Sequence, residues 1–171
     1  MKFHVATFLF VFQTLITLGQ ASHHARPHHP NDSTLTERVV MPNSTATIIL
    51  PNDFESFEGL NGFVQPKLGV AFVAIEHEGI SFSEFRKGWT DEFLAKNELT
   101  LLSKSTVSVD GRLADLYLLS FPTNNQVWLR LMLVTGTDTS NAMYMFNYLE
   151  HLNTSVYENY KNSLLSISFN E

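Results

Sequence analysis

Four of the chain's seven histidines sit in one short stretch, His23-His24 and His28-His29 of "SHHARPHHP". Histidine is the commonest metal-ligating side chain, so two adjacent pairs are a candidate metal site. If the chain is cut after Ala21, Ser22 becomes the N-terminal residue and His24 stands third. A free amine with histidine in third place can wrap Cu(II) or Ni(II) in a square plane. The ligands would be the Ser22 amine, two backbone amides that lose protons and the His24 imidazole, and tetragonal nitrogen ligation is what these ions favour. His28 and His29 would add imidazoles from the same tail. The candidate ligands are therefore Ser22, His23, His24, His28 and His29, and no other cofactor is required. Tails rich in His and Pro also serve as plain polar spacers.

Elsewhere the residues argue mostly by exclusion. The chain has no cysteine, which removes disulfides, thiolate metal sites and a cysteine nucleophile. No G-x-S-x-G singles out a serine, and no Walker loop or G-x-G-x-x-G is present. His77 and His151 are the histidines left for acid–base work downstream of the tail. His77 lies between Glu76 and Glu78 at the end of a strand-like run, where alternation puts both carboxylates on one face and the imidazole on the other. That is poor for a joint metal site, and a solvated strand end is expected. The formal charge of −6, with no basic run, argues against nucleic acid. Asn31, Asn43 and Asn153 begin N-x-S/T sequons, which matter only in a eukaryotic secretory pathway.

The elements that would carry these residues follow from pattern. Residues 1–21 read as a signal peptide: Lys2, an apolar segment over 5–18, then small Gly19 and Ala21. The apolar segment is shorter than the roughly 20 residues of a spanning helix, so the mature chain is expected to be exported, periplasmic or secreted, with no transmembrane segment. Residues 22–37 have almost nothing to bury and read as a flexible His/Pro-rich tail. With 44% hydrophobic residues in 171, the remainder, 38–171, is long enough for one domain with a real core.

Within that domain, 45–51 reads as a strand ending at Pro51, and 52–63 as a turn-rich loop or short helical turn. Residues 69–79 are apolar on both alternating faces, which marks a central strand. Residues 81–97 read as one helix, opened by a Ser81–Glu84 capping box, with Phe82, Phe85, Trp89 and Phe93 on one face and Arg86, Lys87, Asp91 and Glu92 on the other. Trp89 is expected between this helix and the sheet. Asp110-Gly111 suits a type I′ hairpin, and residues 122–125 a second turn. In 127–134, Val127, Leu129, Leu131 and Leu133 face the core. Four successive strands reaching 149 make an antiparallel meander. A last helix over 154–166 shows a second capping-box spacing, Ser155–Glu158, and the stripe Val156, Tyr160, Leu164. The fold class is α+β, an antiparallel sheet covered by two helices.

The run from "GFVQPKLGVAFVAIE" through the helix, the "SVDGRLADLYLLSF" hairpin and the closing "YKNSLLSISF" resembles the PsbP-like fold over about residues 45–169. It is most similar to exported bacterial members of unknown function. They share a "GF…P" turn (Gly62, Phe63, Pro66), a Val-x-Gly hairpin (Val109 to Gly111) and a closing Leu165-Ser166. The resemblance implies an α/β/α sandwich and, because better-known members are binding or assembly factors, a non-enzymatic module whose partner is a protein or envelope component. It carries over no catalytic residue. The competing readings are an envelope hydrolase, which would need a pocket around His77 or His151, and a Cu(II)- or Ni(II)-binding protein acting through the tail.

Overall fold

The computed structural model describes residues 38–57 and 62–170, all within the unit Thr34–Glu171. Among the described residues ten strands form two antiparallel sheets. The small sheet has the order β1 (Arg38–Val40), β2 (Ala46–Ile49), β10 (Ser168–Phe169). The large one has the order β3 (Glu55–Phe57), β4 (Gly62–Gln65), β5 (Val70–Glu78), β9 (Ser140–Leu149), β8 (Gln126–Gly136), β7 (Arg112–Thr123), β6 (Thr100–Val109). The helices are α1 (Phe82–Lys87), α2 (Asp91–Lys96) and α3 (Asn153–Leu165), the last entered through a 3-10 turn at Glu150–Leu152.

The meander β6 to β9 forms as its turn residues require. Asp110 and Gly111 both take positive φ, 49° and 75°, and Val109 pairs with Arg112 across a two-residue turn. The second turn is tighter than expected. Asn124 and Asn125 alone make it, at φ 50° and 58°, while Pro122 lies inside β7 opposite Val127. A proline is tolerated there because β6 stops pairing at Ser120, so β7 has no neighbour on that side to receive an N–H. Residues 52–63, expected as a loop, contain β3 and the start of β4. Turn-forming residues hid the edge strand β3 and the start of its neighbour β4. Gly62 is obligatory: a Cβ there would stand 1.9 Å from the Phe72 carbonyl oxygen.

The sheet is buried on both faces. On one, Phe72, Leu131, Leu133, Tyr144, Phe146 and Tyr148 meet Val156, Tyr160 and Leu164 of α3 and Ile48 of β2. Phe146 stacks on Tyr160 with centroids 4.4 Å apart. The stripe on α3 is as read, but its start is not. The helix begins at Asn153 with no side-chain cap, and the Ser155 hydroxyl donates to the Leu152 carbonyl instead. The preceding 3-10 turn had already redirected the chain, leaving no capping box to form.

On the other face the expected single helix is two. Ser81 and Glu84 form their capping box, but α1 stops at Gly88 and Thr90 caps a new helix by accepting from the Phe93 N–H at 3.1 Å. A glycine followed two residues later by a good N-cap offers the backbone a cheaper arrangement than continuing. Arg86 also turns inward, against expectation, because it stands four residues after buried Phe82 and so shares its face of α1, the guanidinium 5.1 Å from the Phe82 ring. Its guanidinium donates twice to Asp115 of β7, from Nε at 2.7 Å and from a terminal nitrogen at 3.0 Å. Asp115 is fully buried and also accepts from Thr106 (3.0 Å) and Tyr117 (3.1 Å), with Lys104 at 3.4 Å. Every lone-pair direction of this carboxylate is thereby filled, which is what a charge needs to survive burial.

Trp89, in the break, lies where expected between the helices and the sheet, its ring 5.5 Å from Tyr117 and 5.2 Å from Phe93. It is only partly buried. A Trp89→Ala change should therefore cost about 2–3 kcal/mol, below the 3–5 of a fully buried tryptophan. Denaturant unfolding checks this, and a loss under 1 kcal/mol or so would show the aromatic cluster to be ornamental.

Candidate functional site

Between the small sheet and one end of the large sheet lies a cleft of about 440 Å³. Register explains its floor. Glu76 of β5 pairs with Ala142 of β9, Ala142 with Thr135 of β8, and Thr135 with Ala114 of β7. Directly paired residues share a face, and so do residues two apart on a strand, so Glu78, Tyr144 and Arg112 join that face. The small sheet and the segments beside it supply Asn43, Thr45, Ala46, Phe169 and Asn170.

The polar groups in the cleft are fixed by one another. The Glu76 carboxylate accepts from the Tyr144 hydroxyl at 3.0 Å and from the Ser44 hydroxyl. Burial, then the adjacent Glu76 charge, push the Tyr144 phenol far above its ordinary range, so it stays a donor. The Arg112 guanidinium stacks on Phe169, 4.1 Å from the ring centroid. Asn170 donates to the Thr45 carbonyl at 2.8 Å. Asp110, in the β6–β7 turn, accepts from the Phe169 N–H (2.7 Å) and the Ser168 hydroxyl (3.0 Å), and these two bonds hold its carboxyl below the ordinary range. One hairpin turn thus fixes β10 with Asp110 and contributes a cation with Arg112.

Of the sites expected from sequence, Ser22, His23, His24, His28 and His29 lie outside the described residues. Among the described residues no three His, Cys, Asp or Glu side chains gather to hold a metal ion. His151 is exposed on the 3-10 turn. His77 pairs with Asn141 at the far end of β9, roughly 25–30 Å away along the strand. His77 is among the residues lining the cleft and His151 is not, so the structure does not bring the two histidines into one pocket. Glu76 and Arg112 carry no signal of a shared site in the sequence, because no local spacing links strands that meet through register.

His77 is not the solvated strand end expected. Its Nε2 is shut off from solvent, and burial lowers its pKa below the ordinary value of 6.5. The neutral ring is favoured in the folded state, while the unfolded chain binds a proton first. Stability from this group is complete above about pH 6.5 and is lost as pH falls below it, until the folded-state ring also protonates. Melting at about pH 7.5 and about pH 5.5 should show a smaller acid loss in His77→Gln than in the parent. Equal losses would mean that His77 is not the titrating group.

No family model and no curated protein matches the chain by sequence. Solved structures do match by shape. A protein of Bacteroides thetaiotaomicron superposes at TM-score 0.55 with 14% identity over 81% of this chain, which spans half, 50%, of that protein's length. Cyanobacterial PsbP of Synechocystis superposes at 0.56 with 13% identity, covering 78% of this chain and 92% of that one. LpqN of Mycobacterium tuberculosis, described as involved in cell envelope biogenesis, superposes at 0.52 with 13% identity, covering 74% and 84%. With identities this low the likeness is one of architecture, and on that architecture the chain has the PsbP-like fold.

Proposed function

We propose that the mature chain is an exported, non-catalytic binding module that takes a protein or envelope ligand in the cleft between its two sheets. The observation that carries this reading is the cleft itself: about 440 Å³, with Glu76, Tyr144 and Arg112 held in place by partners within the protein. Pre-placed polar groups in a concave site are the usual anatomy of recognition, because little ordering entropy is left to lose on binding. The envelope role described for LpqN accords with an exported partner. Among the described residues no helix is long and apolar enough to cross a membrane.

Thr45 lines the cleft and is exposed, so Thr45→Trp should plug it without disturbing the core. In thermal-shift screening against fractionated envelope extract, at least one fraction should raise the Tm of the parent and leave the plugged variant unmoved. The reading falls if no fraction acts, or if both proteins respond alike.

The tail supports a second, independent reading, because His24 becomes third from the N-terminus after cleavage at Ala21. Protein exported with its leader should begin at Ser22 by mass spectrometry and should bind one Cu(II) in a square-planar nitrogen site. The backbone amides must lose protons and the imidazole must be neutral, so affinity should drop as pH falls through about 6.5. Adding one residue before Ser22, or changing His24→Ala, should abolish the visible d–d band. An unchanged spectrum in the extended protein would reduce the tail to a spacer.

A further inference from the structure

We infer that the ligand of the cleft is a small zwitterion carrying an ammonium group and a carboxylate, as free amino acids and short peptides do. This rests on the reading of the cleft as a binding site. Three charges line it: the carboxylates of Glu76 and Glu78 on β5, and the guanidinium of Arg112 on β7. A simple anion would meet two carboxylates, and a simple cation would meet Arg112. A bipolar ligand complements both walls, its ammonium against β5 and its carboxylate against the planar donor fork of Arg112.

The spacing is compatible. β5 and β7 are separated by β9 and β8, three strand steps, and Arg112 lies two residues beyond the row of Glu76. That puts the two Cα atoms about 16 Å apart, with Glu76 held by Tyr144 and Ser44 and Arg112 held over Phe169, both in the lining of the cleft. An α-amino zwitterion with a hydrogen bond at each end spans about 8 Å, which leaves about 8 Å of that separation for the two side chains.

A neutral sugar is the obvious rival in a cleft with amides, hydroxyls and an aromatic ring. It would need an open ring face to stack on. The Phe169 face is taken by the Arg112 guanidinium at 4.1 Å, with the Tyr144 ring tilted beside it at 6.3 Å. A metal ion is disfavoured too, since among the described residues no ligand set assembles.

Isothermal titration of the intact mature protein decides the matter. The probes are the standard amino acids, the dipeptide Ala-Ala, alaninamide, N-acetylalanine and glucose. At least one amino acid or Ala-Ala should bind about tenfold more tightly than alaninamide and N-acetylalanine, each of which lacks one charge. Arg112→Gln should remove that advantage, and Arg112→Lys should restore part of it, which separates lost charge from lost folding. Glu76→Gln still offers an acceptor to Tyr144 and should weaken the zwitterion by a similar factor. Preference for a free amino acid over Ala-Ala assigns the ligand to that source, and the reverse assigns a peptide. Equal binding of the one-charge probes, tighter binding of glucose, or no binding by any zwitterion overturns the inference. If extract fractions still stabilise the parent but not Thr45→Trp, the cleft remains a binding site for another chemistry. If Thr45→Trp responds like the parent, the site itself is wrong.

Discussion

A strand shows alternate residues to opposite sides, so an unbroken run of buried residues can exist only between two covers. In β9 the run extends from Asn141 to Tyr148, and in β8 from Leu129 to Thr135. This two-sided burial is the condition that the rest of the molecule answers. On one face the cover is α3 with the small sheet, joined by aromatic contacts such as Phe146 on Tyr160. On the other it is two helices of six residues each. Helices that short do not persist alone, because nucleation costs more than so few hydrogen bonds return. They hold their shape because Ser81 and Thr90 cap them and because the sheet grips them.

Part of that grip is electrostatic. Asp115 sits at zero exposure with an arginine, a lysine, a threonine and a tyrosine directed at it. Such an ion cluster adds little net stability over an apolar replacement, yet losing one member leaves a buried charge uncompensated. Its value is directional: a bidentate Arg86–Asp115 pair admits few orientations of α1, whereas packed rings tolerate sliding. The opposite face carries a parallel arrangement at its rim. Asp110 in one hairpin turn and Arg112 just after it fasten the two-residue strand β10 over the sheet's end. The wall of the cleft is therefore held by side chains more than by ladder.

What the sequence disclosed depended on whether the determining contacts were local. The type I′ turn at Asp110-Gly111, the Ser81 capping box and the Val156–Tyr160–Leu164 stripe each depend on residues within a few positions, and each was readable. So was the meander, because short turns force neighbouring strands to pair. The split at Gly88 had its signal in the sequence, glycine followed by Thr90, but the aromatic spacing that continues across the break outweighed it. Arg86 looked solvent-facing because its partner lies on β7, and nothing near Arg86 announces a buried carboxylate. The edge strand β3 and the start of β4 were masked by turn formers, since a short strand needs little β-propensity when a neighbour supplies the ladder. The cleft was illegible for the strongest reason: Glu76, Arg112 and Phe169 become neighbours only through the register of four strands and the return of the chain's end.

That dependence on the chain's end bears on how the cleft can work. Shared architecture does not carry a shared site, because a fold sets where strands lie while side chains decide what is recognised. Here the floor belongs to the sheet, the most cooperatively buried part of the molecule, and one wall belongs to β10 and the turn beside Thr45. The floor cannot move without unpacking Tyr144 and Thr135. The wall can loosen at the cost of the Asp110 bonds, the Arg112–Phe169 contact and the short pairing of Ser168 and Phe169 with β2. Elements held by few bonds open at free energies well below global unfolding. For the proposed binding role, a rigid floor carrying Glu76 and a wall held by fewer bonds would let a ligand enter without disturbing the core. Each contact such a ligand added between floor and wall would then strengthen that seam.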